Sequence, residues 1–169
     1  MTPTEAAADA LQDRAALWSV GAAPAHEVVT AACDALVAGL DSPALVALAS
    51  RTRSEADYDV PELLPVALEE LGLTSYAPGS QAGEEAAVRA LAKLLVSGEL
   101  TPRELAFQAH QRFGHRLPPA ERLAELDDEY DTLGYSSRTL AQLDADVRSE
   151  AHRLAQQPPG SSEPTDAPA

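Results

Sequence analysis

Gly98-Glu99-Leu100-Thr101-Pro102-Arg103-Glu104 ends one helix and begins the next. Gly98 follows an apolar periodic run, where a left-handed glycine stops a helix. Thr101 then stands at an N-cap, with Pro102 at the first helical position and Glu104 at the third, so that the glutamate can reach back to the cap amide. Thr2-Pro3-Thr4-Glu5 repeats the same start signal at the other end of the chain. Gly21, Gly39, Gly72 and Gly114 close apolar runs as Gly98 does. Between these marks the spacing predicts eight helices, over 3–19, 24–39, 43–51, 60–71, 81–97, 102–113, 119–133 and 137–156. No segment alternates with period two for long enough to make a strand. The expected fold is all-α, a compact single-domain bundle of about eight helices over 1–156.

The last helix carries the clearest pattern, with Leu140, Leu143, Val147, Ala151 and Leu154 on one stripe. Cys33 falls among Val29, Leu36, Val37 and Leu40, which predicts a buried thiol. Pro65 removes an amide from the fourth run and should kink that helix or delay its start. From 157 to 169 the chain is rich in Pro and Ser without apolar periodicity, so a disordered tail is expected.

The core must be made of small aliphatic side chains, because the 169 residues are 45% hydrophobic but only 4% aromatic, and alanine makes up about a fifth. Alanine costs least in a helix and lets helices approach closely. With Cys33 as the single cysteine, no internal disulfide can form. The N-terminus lacks the basic and apolar regions of a signal peptide, and no run approaches 18 uncharged apolar residues. A cytoplasmic protein with no membrane contact is the expectation.

Charge is zoned. Residues 54–88 carry eight carboxylates and no Lys or Arg, more than half of the net −15. Residues 89–122 hold six basic residues against three acidic, and 123–137 hold five acids and no base. Acidic faces raise encounter rates with basic surfaces and repel polyanions, so a basic protein partner is expected and nucleic acid is not.

Two acidic zones supply the candidate partner-binding residues. In the first, Glu55, Asp57, Tyr58 and Asp59 set a tyrosine among carboxylates. Tyrosine offers a large contact area for little rotamer entropy, and neighbouring acids steer a basic partner. In the second, Glu121, Glu125, Asp128 and Asp131 lie on the helical side opposite Leu123, Leu126, Tyr130 and Leu133, and Tyr135 follows. Like charges at this spacing cost roughly 0.2–0.5 kcal/mol per pair, and in sequence only Arg122 is near enough to relieve them. Glu125, Asp128, Asp131 and Tyr135 therefore join the candidate set. Tyr130, on the apolar side, is expected to bury its ring.

No catalytic or cofactor signature is present. The four histidines, His26, His110, His115 and His152, form neither His-x-x-x-His nor Glu-x-x-His, so no metal ligand is assigned. Asp127 to Asp131 lacks the glycine of a calcium loop. Pro78-Gly79-Ser80-Gln81-Ala82-Gly83 before a helix suggests a phosphate loop, but Glu84 and Glu85 would repel an anion, and Ser80 is expected to be an N-cap.

Leu100-Thr101-Pro102-Arg103-Glu104-Leu105-Ala106 resembles the opening of the helix-turn-helix domain of some bacterial response regulators, without a recognition helix after it. Taken together, Glu62-Leu63-Leu64-Pro65, Gly98 to Glu104 and Leu126-Asp127-Asp128-Glu129-Tyr130-Asp131 resemble a group of small acidic helical actinobacterial proteins of unassigned function. The resemblance spans most of residues 15–155, implies an all-helical fold and carries no catalytic residue. The expected function is an acidic interaction module that regulates or neutralises a basic protein, in the manner of immunity proteins, antitoxins or adaptors. The alternatives are a metal-dependent hydrolase using the 127–131 carboxylates with His110 or His115, and a purely structural subunit.

Overall fold

Thr2 and Thr101 cap their helices as their spacing requires. The Thr2 amide donates to Glu5 Oε2 at 2.6 Å while the Glu5 amide donates to Thr2 Oγ1 at 3.1 Å. Thr101 and Glu104 make the same exchange at 2.8 and 3.2 Å. The computed structural model describes residues 1–158, and among them every regular element is helical. In order these are α1 (Pro3–Ser19), α2 (Ala25–Val37), α3 (Pro43–Ala49), α4 (Arg53–Glu70), α5 (Gln81–Val96), α6 (Pro102–Phe113), α7 (Pro118–Asp131), a 3₁₀ turn (Leu133–Tyr135) and α8 (Leu140–Gln156). The all-α expectation holds throughout the described residues. The tail expected from 157 lies, from residue 159 onward, outside them.

α4 corrects the expected start at residue 60. It begins at Arg53 because Thr52 and Glu55 form a further capping box, the Thr52 amide donating to Glu55 Oε2 at 2.8 Å. Thr139 and Gln142 build another at the start of α8. Pro65 does not delay α4, and Pro61 lies inside it too. Each proline lacks the amide that would reach the carbonyl four residues back, on Asp57 and Pro61. Both of those residues are exposed, so water can take the place of the lost donor. The helix ends at Gly72, whose φ of +69° turns the chain so that the Leu73 amide reaches the Leu68 carbonyl at 2.8 Å. Ser80 does cap α5, accepting from the Gly83 amide at 3.2 Å.

The chain divides into two compact units, residues 1–90 and 91 onward, with the boundary inside α5. In the first unit α1 packs on α2, α2 on both α3 and α4, and α3 on α4. Leu11, Val28, Leu45, Leu48, Val60 and Leu64 are buried there among alanines 32, 35, 56 and 67. Each such leucine contributes about 1.5–3 kcal/mol by leaving water. Glu70 of α4 accepts the Ala44 amide at 2.9 Å and so places a carboxylate at the N-terminus of α3, where the helix dipole favours it.

The alanines also explain a second correction. Cys33 and Val37 are exposed rather than buried, because α2 turns Ala25, Val28, Ala32 and Ala35 to the core. A helix packed against three others presents its smallest side chains inward, and the larger apolar ones are displaced to its flank.

In the second unit α6 packs on α7 and α8, and α7 packs on α8. Leu143, Val147, Ala151 and Leu154 of α8 are fully buried, as their stripe predicts. Leu140 is 55% exposed, because it is the first residue of the helix, beside its cap. Phe113, Leu117, Leu123 and Leu126 are buried in the same unit. No helix of the described residues is long and apolar enough to cross a membrane.

Candidate functional site

In the first unit the four acidic-zone candidates separate into two kinds. Glu55 is a cap: hydrogen bonds from the Thr52 amide and hydroxyl hold its carboxyl below the usual range. Asp59 pairs with Arg51 at 3.1 Å. Asp57 and Tyr58 are left outward, Tyr58 with 82% of its surface exposed. Neither side chain makes a hydrogen bond or ion pair among the described residues.

The α4 start at Arg53 puts these residues on a helix and adds neighbours. Asp57, Pro61, Pro65 and Glu69 follow at four-residue steps and are all exposed, as is Glu62 beside them. Pro61 and Pro65 line an apolar pocket of about 120 Å³ together with Trp18, Leu64, Tyr76 and Pro78. One row of α4 thus carries a carboxylate at each end and two pocket-lining prolines between them. Glu62 and Glu69, like Asp57, have no ion-pair partner among the described residues. Arg53, one step before Asp57 on the same row, forms no ion pair with it among the described residues.

In the second unit the acidic stripe of α7 is not unrelieved. Asp131 pairs with Arg103 of α6 at 2.7 Å, Glu125 with Arg122 at 3.0 Å, and Asp128 with His115 at 3.1 Å. Arg138, just before α8, pairs with Glu129 at 2.5 Å and with Asp146. Sequence distance hid these partners, since all except Arg122 come from other segments. Tyr135 is 97% exposed in the 3₁₀ turn. Tyr130 buries its ring as expected, under the Arg103 guanidinium at 4.7 Å, and its hydroxyl donates to Asp144 at 2.5 Å. Burial, then the bond to Asp144, pushes this phenol well above its ordinary range.

The same α6–α7 packing assembles a cluster that helical spacing does not announce. Five helical residues subtend about 140° around an axis, so His110 and His115 would face apart in one continuous helix. Gly114, at φ +56°, ends α6 between them and redirects the chain. Both imidazoles then stand beside α7, ring centroids 5.0 Å apart. His110 Nδ1 lies 2.9 Å from Asp127 Oδ2 and 3.8 Å from Asp128 Oδ1. One donor atom from each of His110, His115 and Asp128 lies within 4.8 Å of the others.

Asp127 is the buried member, its side chain 6% exposed. Its Oδ1 is 3.3 Å from Arg103 Nη1 but makes no hydrogen bond. A carboxylate can be held there because a guanidinium and an imidazole face it. No family model, curated protein or solved structure matches this chain.

Proposed function

We propose that the protein is an acidic interaction module that binds a basic protein segment on the exposed face of α4. The observation that carries the reading is the Asp57-Pro61-Pro65-Glu69 row, where unpaired carboxylates flank a pocket walled by Trp18, Pro61, Pro65, Tyr76 and Pro78. An apolar side chain of the partner enters the pocket, and Lys or Arg on either side of it meets Asp57, Glu62 and Glu69. Tyr58 supplies contact area at the edge. Four-residue steps over three intervals span about 18 Å of helix, the reach of a short extended or helical segment.

Glu125, Asp128 and Asp131 contribute field but not free carboxylates, since each already has a basic neighbour. Their part in the reading is steering, with the docking contacts assigned to α4. The test is affinity capture from the native host with wild type and an Asp57→Asn, Glu62→Gln, Glu69→Gln triple variant as paired baits. A basic protein retained by the first and lost by the second, with association slowed by salt, supports the reading. Equal capture by both baits removes it.

A further inference from the structure

We propose that His110, His115 and Asp128 form a divalent transition-metal site of the zinc class, with Asp127 as the residue that positions the His110 ring. This lies in the second unit and is independent of the α4 reading. The donor set is two imidazoles and one carboxylate. Imidazole nitrogen favours zinc and its first-row neighbours, whereas magnesium and calcium select all-oxygen sites, so the donors themselves choose the cation class.

The distances suit that cation. Two ligands bound at 2.0–2.2 Å in a tetrahedron lie roughly 3.3 Å apart. His115 Nε2 to Asp128 Oδ2 is 3.1 Å, and the His110 ring stands with its centroid 5.0 Å from that of His115. One ligand atom from each of the three residues already lies within 4.8 Å of the others, and side-chain movement of about 1 Å, which the exposed His115 and Asp128 can make without disturbing the core, closes the set. Three protein ligands leave a coordination position open to water or to a donor on another molecule.

Asp127 supplies the second, separate observation. Metal-bound imidazoles are held at their other nitrogen by a carboxylate or carbonyl, which fixes both tautomer and ring orientation. Asp127 is a buried carboxylate 2.9 Å from His110 Nδ1 and is itself anchored by Arg103. When His110 donates its Nδ1 proton there, the lone pair is on Nε2. A surface His–Asp pair needs no such buried support.

The test is isothermal titration of the full chain with ZnCl₂, and separately with MgCl₂, joined to visible spectroscopy with Co²⁺ as the probe. Wild type should bind one Zn²⁺ saturably, and Mg²⁺ should neither bind nor compete. His115→Ala and Asp128→Asn, both on the exposed side, should each weaken Zn²⁺ binding by tenfold or more and abolish the Co²⁺ d–d bands. His152→Ala, an exposed histidine on α8, should leave both unchanged. Asp127→Asn should weaken binding about 10–100-fold while circular dichroism stays native, the signature of a positioning residue. Absence of saturable Zn²⁺ binding by wild type overturns the proposal. So does undiminished binding by both His115→Ala and Asp128→Asn.

Discussion

His110 Nδ1 lies 2.9 Å from Oδ2 of Asp127, joining a partly exposed imidazole to a carboxylate that α7 buries. The asymmetry in burial sets the energetics. His110→Ala strips a buried acceptor of a partner and should destabilise the fold by about 1–3 kcal/mol. His115→Ala removes only an exposed pair with Asp128 and should change stability by about 0–1 kcal/mol. Urea unfolding of the two variants measures the difference, and equal losses would show that Asp127 does not depend on His110.

Pro61 and Pro65 interrupt the hydrogen-bond ladder of α4 in a helix that is otherwise continuous. Pro65→Ala restores an amide toward the Pro61 carbonyl and should raise stability, by up to about 3 kcal/mol. The same change removes a wall of the α4 pocket, so if α4 docks a basic segment as proposed, its capture should weaken as the melting temperature rises. A variant that gains stability and binds as well as wild type would show that the proline ring is not part of the docking surface.

From sequence spacing, neutralising Glu125, Asp128 and Asp131 together should relieve repulsion and leave the fold unchanged or slightly more stable. The structure reverses the sign, because Asp131 gains Arg103 and Asp128 a contact with His115, while Glu125 keeps Arg122. The Glu125→Gln, Asp128→Asn, Asp131→Asn variant should lose about 1 kcal/mol in total. High salt should shrink that loss, since these pairs are exposed to screening. Chemical unfolding at two ionic strengths decides between the signs.

Glu5, Glu55 and Glu104 are held below the ordinary carboxylate range, first by the amide of the capping threonine and then by its hydroxyl. A group with a depressed folded-state pKa contributes stability above its unfolded pKa, and that contribution is lost as pH falls through the folded value. Helix stability should therefore hold from neutral pH down to about 4.3, the ordinary glutamate value, and decline below it. Glutamine keeps the capping geometry without titrating, as Gln142 does with Thr139. Glu→Gln at the three positions should flatten the acid limb of the thermal-unfolding profile, and an unaltered limb would place its origin in other carboxylates.

Cys33 is exposed on α2, its Sγ 3.3 Å from the Ala49 carbonyl. It should react stoichiometrically with a thiol reagent in the native protein, without denaturant. A buried thiol, as the apolar neighbours in sequence suggested, would react only on unfolding.

What the sequence alone determined is local. Capping boxes and terminating glycines act within a few residues, so Thr2-Glu5, Thr101-Glu104, Gly72 and Gly98 were legible, and with them the all-helical class. Thr52-Glu55 obeys the same rule, but Pro65 pointed to a kinked or late-starting helix, and the expected start fell at residue 60. The stripe of α8 was legible because one face of a long helix must be buried. Tertiary structure decided the rest. Which flank of α2 is inside depends on how near its neighbours come, and that closeness selected alanine over Cys33 and Val37. The division into two units inside α5 follows from which helices pack together, a property no single segment carries. The charge pattern of α7 was readable, but Arg103, Arg138 and His115 reach it across gaps of nine to 28 residues. Coulomb energy depends on distance through space, so the stripe that spacing made repulsive became a paired network, and His110 and His115 met Asp128 only once Gly114 had turned the chain.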